Sequence, residues 1–175
     1  RENNDRIDLI ADKTSYEVGD VAQILIPSPF EGEHWALLTT ERGGILSHQV
    51  LKLTNNSFVY ELEITAEHVP NVYVSAVIIK GKDQQNKTTD YKVGYTELTV
   101  KVNPVKLRVE VQPGSPQAQP GESVAFDVQV TDADGQPVRA VLSLDLVDKA
   151  VLSLSPRQPD AIIDAFYGRR GLRVQ

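Results

Sequence analysis

A chain of 175 residues with 41% hydrophobic and 24% charged residues holds enough apolar material for one large or two small domains, and that balance excludes disorder and a collagen-like repeat. A formal net charge of −6 leaves no basic stripe to neutralise phosphates, which sets nucleic acid aside as a partner. No run approaches the roughly 18 apolar residues of a membrane span, and the start Arg1-Glu2-Asn3-Asn4-Asp5 has no apolar signal core, so direct membrane insertion is not expected.

Period-two alternation dominates from end to end, and it predicts strands over residues 7–10, 21–26, 35–40, 45–53, 58–64, 72–79 and 95–102. In the fifth, Phe58, Tyr60, Leu62 and Ile64 share one face, opposed by Glu61 and Glu63. The sixth is apolar at nearly every position, as a central strand covered on both faces would be. After Asn103-Pro104, which reads as a hinge, three more alternating runs follow: 107–111, 124–130 and 138–146. No long amphipathic helix is expected.

The second set echoes the first. Ile7-Asp8-Leu9 followed by Tyr16-Glu17-Val18-Gly19-Asp20 returns 102 residues later as Val109-Glu110-Val111 followed by Ala118-Gln119-Pro120-Gly121-Glu122. A strand, a turn closed by glycine and an acidic residue, then another strand is one structural unit used twice. The expected fold is therefore all-β, with tandem fibronectin/immunoglobulin-like antiparallel sandwiches over residues 1–103 and 104–154. The second has too few strands to close alone. With no Met and no Cys, the chain is expected to be a fragment of a longer polypeptide, without disulfides or a cysteine nucleophile.

Catalytic chemistry finds little support. His34, His48 and His68 lie in separate segments, outside any Gly-x-Ser-x-Gly elbow or His-Glu-x-x-His motif, so neither a triad nor a zinc site is signalled, and no enzyme activity, metal or cofactor is expected. Asp132-Ala133-Asp134-Gly135-Gln136-Pro137 resembles the start of a calcium loop but lacks the later bidentate Glu. A hairpin turn explains it better. Gly43-Gly44 reads as a turn too, and the polar run 80–87 as a solvated hairpin loop.

The last twenty residues differ in kind. Alternation stops after Leu154, and Ser155-Pro156-Arg157-Gln158-Pro159-Asp160 contains two prolines that a central strand cannot accept. Ala161-Ile162-Ile163-Asp164-Ala165-Phe166-Tyr167-Gly168-Arg169-Arg170-Gly171-Leu172-Arg173 then mixes basic, aromatic and aliphatic residues, the side chains that serine proteases of different specificity read. By composition this segment is either a frayed terminus, a strand partnered elsewhere, or an exposed multi-specific cleavage target.

Asp12-Lys13-Thr14-Ser15-Tyr16-Glu17-Val18-Gly19-Asp20-Val21-Ala22, with Leu25-Ile26-Pro27-Ser28-Pro29-Phe30, resembles the domain preceding the bait region in bacterial alpha-2-macroglobulins. Leu146-Val147-Asp148-Lys149-Ala150-Val151-Leu152-Ser153-Leu154 is similar to the segment just ahead of the bait in that family, and Phe166-Tyr167-Gly168-Arg169-Arg170-Gly171-Leu172 to the stretch entering it. The resemblance implies a scaffold fragment of a broad-spectrum endopeptidase inhibitor, a protease trap of the bacterial periplasm and cell envelope, built of macroglobulin domains. Its implied partners are endoproteases as targets and other domains of the same parent chain. Residues 155–175 would then begin the bait. Arg157, Arg169, Arg170 and Arg173 are candidate cleavage sites for trypsin-like enzymes, Phe166 and Tyr167 for chymotrypsin-like enzymes, and Leu172 for elastase-like enzymes. The family's Cys-Gly-Glu-Gln thioester cannot lie in a chain without Cys. The rival expectation is an extracytoplasmic adhesive or spacer module, because fold alone does not choose a function.

Overall fold

The computed structural model describes residues 5–82, 87–102, 106–119, 121–147, 150, 153 and 161–173. The regular structure of the described chain is nearly all strand: β1 (Ile10–Ala11), β2 (Ser15–Tyr16), β3 (Val21–Pro27), β4 (His34–Glu41), β5 (Ile45–Leu53), β6 (Ser57–Glu63), a 3-10 turn (Ala66–His68), β7 (Asn71–Lys80), β8 (Asp90–Val100), β9 (Arg108–Pro113), β10 (Phe126–Thr131) and one short helix, α1 (Ala161–Tyr167). It divides into two compact units, Arg1–Lys101 with Tyr167–Gln175, and Val102–Phe166. The expected hinge at Asn103-Pro104 lies outside the described residues. The division splits the expected 155–175 segment, because residues from Tyr167 onward belong with the first unit.

The first unit is a two-sheet sandwich. One sheet has the order β2-β8-β7-β4-β5, antiparallel except for the parallel β2–β8 pair, and the other has the order β1-β3-β6. Alternation does what the sequence demands: Ala22, Ile24 and Ile26 of β3 are fully buried, as are Val72, Val74, Ala76 and Ile78 of β7. Each large side chain in that set contributes about 1.5–3 kcal/mol by leaving water. Leu62 and Ile64 turn inward as expected, while Phe58 and Tyr60 are half-buried at the start of β6.

Three expectations shift. The predicted first strand contracts to Ile10–Ala11, and ahead of it residues 6–7 run beside β8, with the Ile7 N–H donating to the Val93 carbonyl at 3.0 Å. Strand β8 starts at Asp90 rather than near residue 95, because β7 pairs with it along its whole length, from Asn71↔Thr99 to Lys80↔Asp90. The third concerns the cover over β7. Its outer face is covered at Tyr73, 5% exposed, but opens toward Ile79, 48% exposed, where Trp35, Ile79 and Tyr91 form one cross-strand row facing solvent.

The Tyr16–Asp20 motif is a turn with a hydrogen-bonding plan. Gly19 has φ +96°, the Asp20 N–H donates to the Glu17 carbonyl at 3.1 Å, and the Glu17 N–H donates to the Asp20 carboxylate at 3.1 Å. The buried Tyr16 hydroxyl donates to Asp12 at 2.8 Å, and burial, then that carboxylate, push its pKa up to about 12. The second unit closes the equivalent turn in the same way. Gly121 has φ +91°, the Glu122 N–H donates to the Gln119 carbonyl at 3.0 Å, and the Gln119 N–H donates to the Glu122 carboxylate at 2.8 Å.

The second unit pairs β9 with β10 antiparallel, from Phe126↔Pro113 to Thr131↔Arg108. Asp132 then closes a turn: its carboxylate accepts the Asp134 and Gln136 N–H groups at 3.0 and 2.8 Å, around a Gly135 with φ +80°. The strand expected over 138–146 does not form among the described residues. Pairing begins with the Thr131↔Pro137 bridge and the Val138 N–H to Val130 carbonyl bond, and goes no further; Val141, Leu144 and Leu146 stand exposed. Alternation supplies only an apolar face, and a strand also needs a neighbouring ladder.

Gly94 is required by a close approach. A Cβ built there would collide with the Ile7 carbonyl oxygen and lie 2.7 Å from Leu9 Cδ1, so the N-terminal segment could not lie beside β8. The Gly94→Ala variant should therefore lose about 2 kcal/mol or more in urea unfolding. A loss below about 0.5 kcal/mol would show that residues 5–9 give way at little cost. His68 offers a second test. It is buried at the end of the 3-10 turn, its Nδ1 accepts the Thr65 N–H at 3.1 Å, and burial, then Arg42, lower its pKa below 6.5. The unfolded chain thus binds more protons than the folded one, so stability should fall as pH drops from about 6.5 toward the lower folded value. His68→Gln should flatten that slope in unfolding measured at pH 5, 6 and 7.

Candidate functional site

The most elaborate polar site in the described chain lies at one end of the five-stranded sheet, where residues 169–172 cross the outer edge of β7 and β8. Asn71, the first residue of β7, is 1% exposed and its amide is fully used. Its Nδ2 donates to the Arg170 carbonyl at 2.8 Å and to Glu97 Oε1 at 3.0 Å, while its Oδ1 accepts the Arg170 N–H at 2.9 Å. One side-chain amide thus satisfies both backbone groups of a single residue, as a neighbouring strand would. The Tyr73 hydroxyl also donates to the Arg170 carbonyl, at 3.2 Å.

Glu97 sits opposite Tyr73 in the β7–β8 register. Arg169 grips it through two nitrogens, with Nε to Oε1 at 2.7 Å and Nη2 to Oε2. The pair is ionised: Arg169 holds the Glu97 carboxyl below its usual range, and Glu97 raises the Arg169 guanidinium. One residue pair farther along, the Gly43 N–H donates to the Leu172 carbonyl at 3.0 Å. Gly43 can do so because its φ of +69° turns the chain between β4 and β5.

Arg42 braces the platform from beneath. Its guanidinium donates to the carbonyls of Glu67, Val69 and Asn71, tying the 3-10 turn and the start of β7 together. Desolvation, then the nearby Arg170 charge, lower its pKa. A cleft of about 290 Å³ runs between Arg42 and Gly43 on one side and Arg169, Arg170, Gly171 and Arg173 on the other.

The other constellations are occupied by structural work. Ser28 and His34 form a hydrogen-bonded pair at 2.8 Å that superficially suggests a nucleophile and its base, yet both are buried, at 3% and 1% exposure. His34 Nδ1 lies 2.8 Å from the Gly32 carbonyl, so Nδ1 carries the proton and Nε2 accepts from Ser28. Substrate cannot reach that oxygen. Among the described residues no group of three or more His, Cys, Asp or Glu is placed to hold a metal.

The candidate cleavage residues fall into distinct settings. Arg157 lies outside the described residues. Phe166 and Tyr167 end α1, 67% and 38% exposed, and Gly168 follows the helix. Arg169, Arg170 and Leu172 are bonded to the first unit as above, and Arg173 lies exposed at φ +35°. The residues that receive them, Asn71, Tyr73, Glu97 and Gly43, carry no sequence signal as a group. Asn71 and Arg170 are 99 residues apart, and only the β7–β8 register makes Glu97 their neighbour.

Residues 7–154 match the family described as the alpha-2-macroglobulin bait region domain. The chain is 25% identical over 180 residues to an alpha-2-macroglobulin homolog of Nostoc sp., and 32% identical over 170 residues to an alpha-2-macroglobulin of Xylella fastidiosa; these alignments cover 99% and 95% of the chain, and 9% and 10% of those proteins. It spans about a tenth of their length. Two solved structures are also similar, the native conformation of E. coli alpha-2-macroglobulin (18% identity, TM-score 0.46, 93% of this chain and 10% of that one) and a Salmonella alpha-2-macroglobulin mutant (18% identity, TM-score 0.48, 96% and 11%). With an all-β fold and a family match across most of its length, the chain belongs to the alpha-2-macroglobulin bait region domain family.

Proposed function

We propose that this chain is the bait-bearing portion of a bacterial, broad-spectrum endopeptidase inhibitor, contributing scaffold domains and the entry to a segment that proteases cut. The match to the bait region domain family over residues 7–154 carries the reading. The proposed partners are endoproteases, as targets of the longer protein, together with other domains of that protein; the proposed location is the periplasm. The chain itself acts as substrate and scaffold, with no catalytic group. A rigid sandwich beside a cleavable segment suits a trigger, because a cut changes only what an intact chain constrained.

Local features support the placement of the cut segment. Phe166 and Tyr167 stand exposed at the end of a seven-residue helix. A helix that short has little stability of its own and can open into the extended form a protease binds. Limited proteolysis with trypsin, chymotrypsin and elastase, read by intact mass, tests the proposal. The earliest cuts by all three enzymes should fall between residues 155 and 175, with residues 5–101 surviving as a folded body. First cuts at residues 80–87, with 155–175 resistant, would replace the trap with the spacer or adhesive reading.

A further inference from the structure

Asn71 is nine-tenths or more buried, and its polar atoms are committed to a piece of chain 99 residues away. A buried amide left without those partners would incur a desolvation cost. The platform is therefore built around an occupant. What it accepts is the N–H and C=O of residue 170, which any residue but proline presents, while Glu97 opposite selects arginine at 169 through a two-point contact that lysine cannot make.

We propose that Asn71, Tyr73 and Glu97, with the Gly43 N–H, form a clamp that reads Arg169–Leu172 and withholds its peptide bonds from proteases, so that the cleavable stretch on its N-terminal side ends before Arg169. The clamp stands on its own contacts; the consequence for the cleavable stretch rests on the proposed function above. A serine protease must seat the scissile carbonyl among its own N–H donors and place the preceding side chain in its specificity pocket. Cutting after Arg170 needs a carbonyl that Asn71 and Tyr73 already hold. Cutting after Arg169 needs a guanidinium that Glu97 grips and an adjoining N–H that Asn71 accepts. Cutting after Leu172 needs the carbonyl that Gly43 holds. Each route requires the segment to lift off first. Of the candidate cleavage residues on the described chain before the clamp, this leaves Phe166 and Tyr167.

The test compares the whole 175-residue chain with a synthetic peptide of residues 165–175 under dilute trypsin, following cleavage after Arg169 and Arg170 by mass. The clamp should slow both cuts at least about tenfold relative to the peptide, since cleavage tracks the open population. Arg169→Gln leaves every sandwich residue in place and should speed the Arg170 cut severalfold, toward the rate of the matching Arg169→Gln peptide, with the backbone bonds to Asn71 and Tyr73 keeping the remainder of the protection. Glu97→Gln should do the same for both bonds while keeping the wild-type melting transition; if that transition is lost, Arg169→Gln alone decides. Equal rates in wild-type chain and peptide overturn the clamp, as does protection that Arg169→Gln leaves unchanged. Chymotrypsin separates the two ideas. If it does not cut after Phe166 or Tyr167 while Arg170 stays protected, the clamp stands and the bait reading fails.

Discussion

Strand β7 is the constraint on which the first unit depends. It is paired along its length with β8 and over most of it with β4, and its inner face at Val72, Val74, Ala76 and Ile78 is closed to water. A shift of one residue in either ladder would turn that apolar set outward and bring Tyr73, Ser75 and Val77 inside. The register is therefore fixed by burial, and fixed register is what aligns Tyr73 with Glu97 and sets Asn71 at the strand's first position. A polar clamp needs its groups held to within tenths of an ångström. Here the apolar core of the sandwich does that holding, and Arg42 adds to it by gathering the carbonyls of Glu67, Val69 and Asn71 where the chain enters β7.

The two units share a local grammar and differ in what surrounds it. Gly19 with Asp20, and Gly121 with Glu122, each supply a positive φ and a carboxylate that folds back on the N–H three residues earlier. That the carboxylate is one methylene longer in the second case changes nothing essential, since both reach the same N–H within 3.1 Å. In the first unit the strands that follow find ladders on either side. In the second, the described ladder ends beside Pro137, and the alternating side chains beyond it remain in water. Identical turn chemistry is compatible with both outcomes because turns are closed locally, whereas sheets are closed by partners distant in sequence.

That distinction also explains how much could be read in advance. Strands β3 to β7, the Gly-Asp turns and the Asp132 turn are written in residues within about ten positions of one another, within reach of periodicity and turn chemistry. The all-β class follows from them. The strand expected at 138–146 was legible as a pattern and does not form among the described residues, where it has no neighbouring ladder. The clamp was invisible for a related reason. Asn71 reads as the residue after a proline, Glu97 as one polar position in an alternating strand, and Arg169 and Arg170 as candidate cleavage sites, until the fold brings segments 72 and 99 residues apart into one site. The cleavage-prone composition of the tail was visible, but the backbone bonds that fix part of it were not.

A contact made within one chain behaves differently from the same contact made between two. Closing a loop costs free energy that rises only as the logarithm of its length, about 0.6 kcal/mol for each doubling, so almost any insertion between Glu97 and Arg169 would leave the clamp occupied. Breaking the chain anywhere in that interval has a far larger effect, because the tethered segment loses an effective concentration in the millimolar range and must then bind as a separate molecule. The clamp offers four backbone-directed hydrogen bonds and one ion pair whose arginine is 74% exposed. Exposed pairs of this kind are weak and screened by salt. Such a contact is well matched to a continuous chain and poorly matched to a separate molecule.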